Sequence, residues 1–164
     1  MKIFKASFDK LTLIISFVFI SFIVVLFILN LINNSLFLPQ ANFSLSLGFY
    51  FLAILFLYIL LFIPKYYSVD ASAISIHRPI FSFKINRSEI AACSVILNGE
   101  MRGVIRVAGN GGLFGYTGFF WNTKYGTMRW FATQRKNYVL IEKTNGNKIV
   151  ITPDEPEKFI EALG

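Results

Sequence analysis

Two stretches without a single charged residue, Leu11–Leu29 and Leu45–Ile63, constrain this chain more than any other feature. Each is about 19 residues long, enough at roughly 1.5 Å per residue to cross the roughly 30 Å hydrocarbon core of a bilayer as a helix. A helix buried in a soluble core would carry polar residues at helical spacing along one side, and these runs carry almost none. The first run continues through Asn30 to Ile32, so the expected spans cover residues 11–32 and 45–63. Between them, Asn33 to Ser44 is polar-edged, contains Pro39, lacks charge and reads as a loop. The expected organisation is a two-helix transmembrane hairpin within residues 1–65 and a separate domain over residues 66–164.

The flanks set the orientation. Lys2, Lys5 and Lys10 precede the first run, Lys65 follows the second, and the loop between has no Lys or Arg. Cationic flanks stay on the cytoplasmic side, which places both termini and the domain after Lys65 in the cytoplasm. A cleaved signal peptide has an apolar stretch of about 7–15 residues ending at a small-x-small site. The first run has neither, so it reads as an uncleaved anchor. Neither run contains Asp, Glu, Lys, Arg or His, the residues that mark ion and proton pathways, so the pair reads as an anchor rather than a pore. Ser16, Ser21, Gly48, Ala53 and Tyr58 are of the kinds that support helix packing.

After Pro64 the pattern changes to short alternating runs separated by turn residues. Tyr66–Asp70, Ile74–His77, Phe81–Ile85, Glu89–Leu97, Val104–Val107, Met128–Thr133, Tyr138–Glu142 and Lys148–Ile151 carry the strand signal, eight short runs from which about seven strands are expected. Asn98-Gly99 and Asn145-Gly146 have the chemistry of tight hairpin turns. Helical periodicity returns at the C-terminus: Asp154 is placed to cap, Pro156 fits a first turn, and Phe159, Ile160 and Leu163 share a face.

Several segments of this half then follow in a distinctive order: Tyr67-Ser68-Val69-Asp70, Ser88-Glu89-Ile90, Gly111-Gly112-Leu113-Phe114-Gly115-Tyr116, Phe131-Ala132-Thr133 and Ile149-Val150-Ile151-Thr152-Pro153-Asp154. In this the chain resembles bacterial membrane proteins with a pleckstrin-homology-like (PH-like) domain, over residues 66–164. Arg87 departs from the pattern, standing where an aromatic residue is expected. The resemblance implies a membrane-anchored α+β protein: the transmembrane hairpin, then a PH-like seven-stranded open β-barrel with a C-terminal capping helix. It implies a multi-pass protein of the bacterial inner membrane, and it carries no catalytic residues.

The segment from Gly109 to Trp121 is the most unusual in composition. It lacks the GxxxxGK[ST] order of a phosphate-binding loop, and Phe114 occupies the last glycine of a GxGxxG pattern. Two uses fit it. A tight loop would tuck Leu113, Phe114 and Tyr116 against the barrel on the flexibility of Gly111, Gly112 and Gly115. A mobile one would present Phe119, Phe120 and Trp121 to lipid or to a partner. Lys124, Arg129, Arg135 and Lys136 surround the segment in a chain of net charge +7, and suit an anionic leaflet or an acidic partner. Plain solubilising charge is the competing use.

No RNP-like or helix-turn-helix pattern accompanies this charge, which argues against nucleic acid. His77 and Cys93 are solitary, and the carboxylates lack fixed pairing, so neither an enzyme nor a cofactor or metal protein is expected. The expected function is a membrane-tethered binding or scaffolding module that recognises a protein partner, or a second copy of itself, at the inner membrane surface. The alternatives are sensing of anionic membrane lipids by the same domain, and an accessory subunit of a transporter or envelope enzyme acting through its two spans.

Overall fold

A computed structural model describes residues 1–36 and 43–164; the middle of the expected loop, residues 37–42, lies outside the described residues. The chain opens with a short strand, β1 (Lys2–Lys5), followed by helices α1 (Lys10–Leu36) and α2 (Phe43–Leu61). Asp9 starts α1 by accepting the Thr12 backbone N–H at 2.7 Å, one of the donors a helix start leaves unpaired. The helices pack through aromatic rings, Phe19 on Phe56 at 5.9 Å and Phe27 on Phe49 at 5.7 Å. Lys10–Ile32, 23 residues, is the one helical stretch among the described residues that is long and apolar enough to cross a membrane. Leu47–Leu61 of α2 is a shorter apolar stretch.

Strands β2 (Tyr66–Val69), β3 (Ala73–His77) and β4 (Phe83–Asn86) join β1 in an antiparallel four-stranded sheet of order β1-β2-β3-β4. The remaining strands are β5 (Ile90–Ile96), β6 (Ile105–Gly111), β7 (Tyr116–Asn122), β8 (Gly126–Ala132), β9 (Tyr138–Lys143) and β10 (Lys148–Ile151). They form a six-stranded sheet of order β5-β9-β10-β8-β7-β6, antiparallel except where β10 lies parallel to β8. The chain ends in α3 (Pro156–Glu161).

Alternation along the strands builds the core. Tyr67, Ile74, Ile76 and Ile85 of the first sheet meet Phe131, Val139, Ile141 and Ile151 of the second, and Phe159 of α3 closes one end against Phe4. The outer face of the larger sheet carries a second cluster around Met128, Trp130 and Leu140, covered by Met101 from the 3-10 turn Asn98–Met101.

This is a two-sheet β-sandwich with a C-terminal helix, and it departs from the expected seven-stranded PH-like barrel in definite ways. There are ten strands among the described residues, and the sheets do not close: β6 ends the larger sheet with one side unpaired. The expected N-terminal membrane flank supplies β1, which pairs with β2 in the register Phe4↔Tyr67. Asn98-Gly99 is no hairpin turn, since β5 pairs with β9 and β6 with β7; the 3-10 turn there leads the chain from one edge of the sheet to the other. Asn145-Gly146 does turn β9 into β10. Asp154 does not cap α3, because both its oxygens are engaged elsewhere, by the Ser7 N–H at 3.1 Å and the Ser7 hydroxyl at 2.6 Å.

Candidate functional site

The glycine-rich segment expected as a loop is a β-hairpin, β6 and β7 joined by a turn over residues 112–115. Asn110 holds the turn: its side-chain amide donates to the carbonyls of Leu113 and Gly115, and its Oδ1 accepts the Leu113 N–H at 3.1 Å. Gly109 and Gly118 face each other across the ladder at φ +114° and +128°, and a Cβ on Gly118 would run into the Ala108 carbonyl. The two glycines thus allow a backbone approach that no other residue permits.

The turn rests on the helices. The Phe114 N–H donates to Ser16 Oγ at 2.9 Å, the Ser16 hydroxyl donates in turn to the Thr12 carbonyl at 2.7 Å, and the Phe114 ring meets Phe56 of α2 edge-on at 5.7 Å. Asp9 adds a second tie, accepting the Arg135 N–H at 2.9 Å. Leu113 and Phe114 are half-buried, and Phe114 packs against the helices rather than the sandwich.

Strand alternation sorts the aromatic residues onto two faces. Tyr116 and Phe120 point into the outer-face cluster, where Phe120 is 5% exposed and stacks on Trp130 at 4.5 Å. Phe120 is therefore a core residue and not a contact residue. Phe119 and Trp121 face the other way and stay 48% and 40% exposed. On the edge strand β6, Ile105 and Val107 are more exposed still, at 57% and 63%.

The four basic residues do not form one patch. Lys124 pairs with Glu100 at 2.9 Å, and hydrogen bonds from Tyr125 and from Lys124 hold that carboxyl below its ordinary range. Arg135 lies over the Tyr116 ring at 5.0 Å, on the outer-face side, beside a cavity of about 250 Å³. Lys136 is exposed. Arg129 projects from the opposite face of β8, with its guanidinium 4.9 Å from the Phe83 ring and 5.0 Å from the Phe131 ring.

Arg129 has different company from that expected. Arg78, immediately after β3, also lies over Phe131, at 5.6 Å, and its Nε donates to the Phe81 carbonyl at 2.9 Å. With Arg106 of β6 these side chains line a cavity of about 500 Å³ between the hairpin and α2, whose far wall includes Leu55, Tyr58, Ile59 and Phe62. Among the described residues no carboxylate lines it. Partial burial, and then the nearby Arg129, lower the Arg78 pKa from its ordinary value. Arg78 and Arg106 escaped the sequence reading because nothing in their spacing links them to Arg129; only the sheet order and the return of α2 bring the three together.

The two solitary candidates of the sequence, His77 and Cys93, each have defined surroundings. His77 is stacked on Tyr66 at 4.3 Å and lies between the hydroxyls of Ser68 and Ser82, at 2.9 and 3.1 Å. Burial pushes the Cys93 thiol up to about 12, which keeps it protonated and unreactive at neutral pH. Among the described residues no group of three His, Cys, Asp or Glu side chains is placed to hold a metal ion.

No match to the chain was found among curated proteins or among solved structures. Residues 65–164, well over half of the chain, match the Bacterial PH domain family, a stretch that includes the β6–β7 hairpin and α3. The chain belongs to the bacterial PH domain family.

Proposed function

We propose that this protein is a membrane-anchored PH-like module that binds an extended segment of a protein partner along β6, at the cytoplasmic face of the inner membrane. The observation that carries the binding reading is the open edge. β6 ends the six-stranded sheet with unpaired backbone groups flanked by the exposed apolar side chains of Ile105 and Val107, and Phe119 and Trp121 stand beside it on β7. An unpaired sheet edge is a template for strand addition; the bulge between Arg106 and Ala108 interrupts the ladder to β7 and leaves the outer side of β6 unpaired.

The pairing of β1 with β2 supports the anchor. α1 leaves the sandwich at Lys10 and α2 returns to it at Leu61, so a chain that crosses the bilayer in α1 crosses back in α2. Removal of α1 as a signal sequence would also take β1 out of its sheet. The anchor then occupies residues 10–63, and the sandwich is residues 66–164 together with β1. Lys2, Lys5, Lys10 and Lys65 mark the cytoplasmic side of both spans.

A photo-crosslinking residue at position 107 in intact membranes tests the binding reading. The expected result is one discrete adduct that disappears when Ile105 and Trp121 are changed to Asp and Ser. An adduct that survives both changes would move recognition to the helices, as in an accessory subunit. An adduct with a second copy of the chain would identify the partner as the protein itself.

A further inference from the structure

The cavity between the β6–β8 face and α2 has a chemistry that the edge-strand reading does not use. Three guanidinium groups converge on it, from Arg78, Arg106 and Arg129, and none of the three has a carboxylate within ion-pair distance among the described residues. By contrast Lys124, Lys143, Lys148 and Lys158 each pair with a glutamate. Unpaired like charges lining one cavity repel each other, and a bound anion removes that cost. Arginine is the residue suited to a tetrahedral oxyanion, since its planar fork donates two parallel hydrogen bonds. Two of the forks are already oriented from the protein side, Arg78 by the Phe81 carbonyl and Arg106 by the Gly109 carbonyl, at 2.9 and 3.3 Å. Both keep further N–H groups for a ligand.

The opposite wall is apolar and belongs to the last turns of α2. Leu55 lies about 9 Å along the helix axis from the end of α2, at about 1.5 Å per residue. With α2 crossing the bilayer, that depth is the boundary between headgroups and acyl chains. A ligand that satisfies both walls carries an anionic head and an apolar body.

From this geometry we infer that the cavity binds an anionic phospholipid, with its phosphate held by Arg78, Arg106 and Arg129 and its glycerol–acyl region against α2. The inference rests on the membrane-anchored reading and is independent of the partner assigned to the β6 edge.

The test uses the full chain in nanodiscs of phosphatidylglycerol or of phosphatidylcholine, with retained lipid counted by native mass spectrometry. Thermal stabilisation is measured in detergent on adding each lipid or inorganic phosphate. The expected result is retention of phosphatidylglycerol and stabilisation by it alone. Its affinity should fall at least about tenfold in R106Q and further in R78Q/R129Q, each variant having lost charge-assisted hydrogen bonds. Should R78Q/R129Q not fold, R106Q carries the test, because Arg106 is exposed and its fork holds only the Gly109 carbonyl. K136Q removes the same charge from outside the cavity and should leave affinity unchanged. Equal stabilisation by both lipids, an equal loss in K136Q, or stabilisation by inorganic phosphate as strong as by lipid each overturns the inference. A chain that fails to enter nanodiscs refutes the anchor itself; one that enters them without preferring phosphatidylglycerol refutes the lipid site alone.

Discussion

The Tyr67 hydroxyl lies between the two sheets, donating to the Phe131 carbonyl at 2.7 Å and accepting the Thr152 N–H at 3.3 Å, with the side chain wholly buried. Tyr67→Phe leaves both backbone groups without that partner inside the core. Such a loss costs about 1–3 kcal/mol, so the variant should melt several degrees lower, by circular dichroism in detergent. An unchanged melting temperature would show that the bridge contributes nothing net. Burial raises the Tyr67 phenol from 10.0 to about 12, and burial likewise brings Tyr138 and the Cys93 thiol to about 12. The fold therefore holds the neutral forms, while the unfolded chain begins to release the thiol proton near pH 9 and the phenol protons near pH 10. The unfolded state binds fewer protons across that interval, so stability present below about pH 9 is lost as pH rises toward about 12. Melting temperatures level up to about pH 8.5 and falling steadily above it are the expected outcome; a profile flat to about pH 11 contradicts it. Arg87, where the sequence reading expects an aromatic residue, has a defined role in three dimensions. Its guanidinium donates to the carbonyls of Asp70, Ala162 and Leu163 at 2.9–3.0 Å, tying the end of α3 to the first sheet. A hydrogen-bonding fork does there what the expected aromatic residue would do by packing.

At the scale of elements, the hairpin is the joint between helices and sandwich, and two changes separate its folding from its docking. Gly118→Val puts a branched side chain at φ +128° against the Ala108 backbone, so β6 and β7 cannot keep their register. Its expected phenotype is misfolding or aggregation, read as loss of the monodisperse peak in gel filtration. Ser16→Ala leaves the hairpin intact and removes the acceptor of the Phe114 N–H. The expected result is a modest loss, about 1 kcal/mol, together with faster amide exchange confined to residues 112–115. Exchange unchanged in that turn would mean that the helices do not hold it. Legibility in the sequence follows the range of the interactions. Ile74-Ser75-Ile76 and the Asn145-Gly146 hairpin are visible because their partners are a few residues away. β7 was hidden because its glycines read as flexibility while serving a tight strand pair. Asn98-Gly99 has the right turn chemistry, but the strands on either side belong to opposite edges of the sheet. The Arg78–Arg106–Arg129 cluster is wholly a product of topology.

At the scale of the molecule, β1 was the element least available to sequence reasoning, and it carries the largest consequence. Four residues beside a long apolar run give too short a period to read, and the family match begins only at residue 65. Yet β1 contributes Phe4 to the main core against Phe159, and the segment after it is fixed by the Lys5 carbonyl to the Asp154 N–H and by the Ser7 carbonyl to the Thr133 hydroxyl. The helical hairpin is thus an insertion between the first two strands of one sandwich. The connections, from Lys5 to Lys10 and from Leu61 to Tyr66, are too short to act as free tethers. Residues 66–164 produced alone should therefore expose the β2 edge and a gap at Phe4, and should aggregate or melt well below the same segment carrying residues 1–9 fused ahead of it through a short glycine–serine linker. Restoration by the fused strand, and its loss when Phe4 within it is changed to Ser, is the expected pattern in gel filtration and thermal melts. Equal melting of the two proteins would mean that β1 merely lies on the sandwich. Restoration would mean that β1 is an integral strand of the sandwich, so that α1 and α2 are joined at both ends to one PH-like body by connections of a few residues.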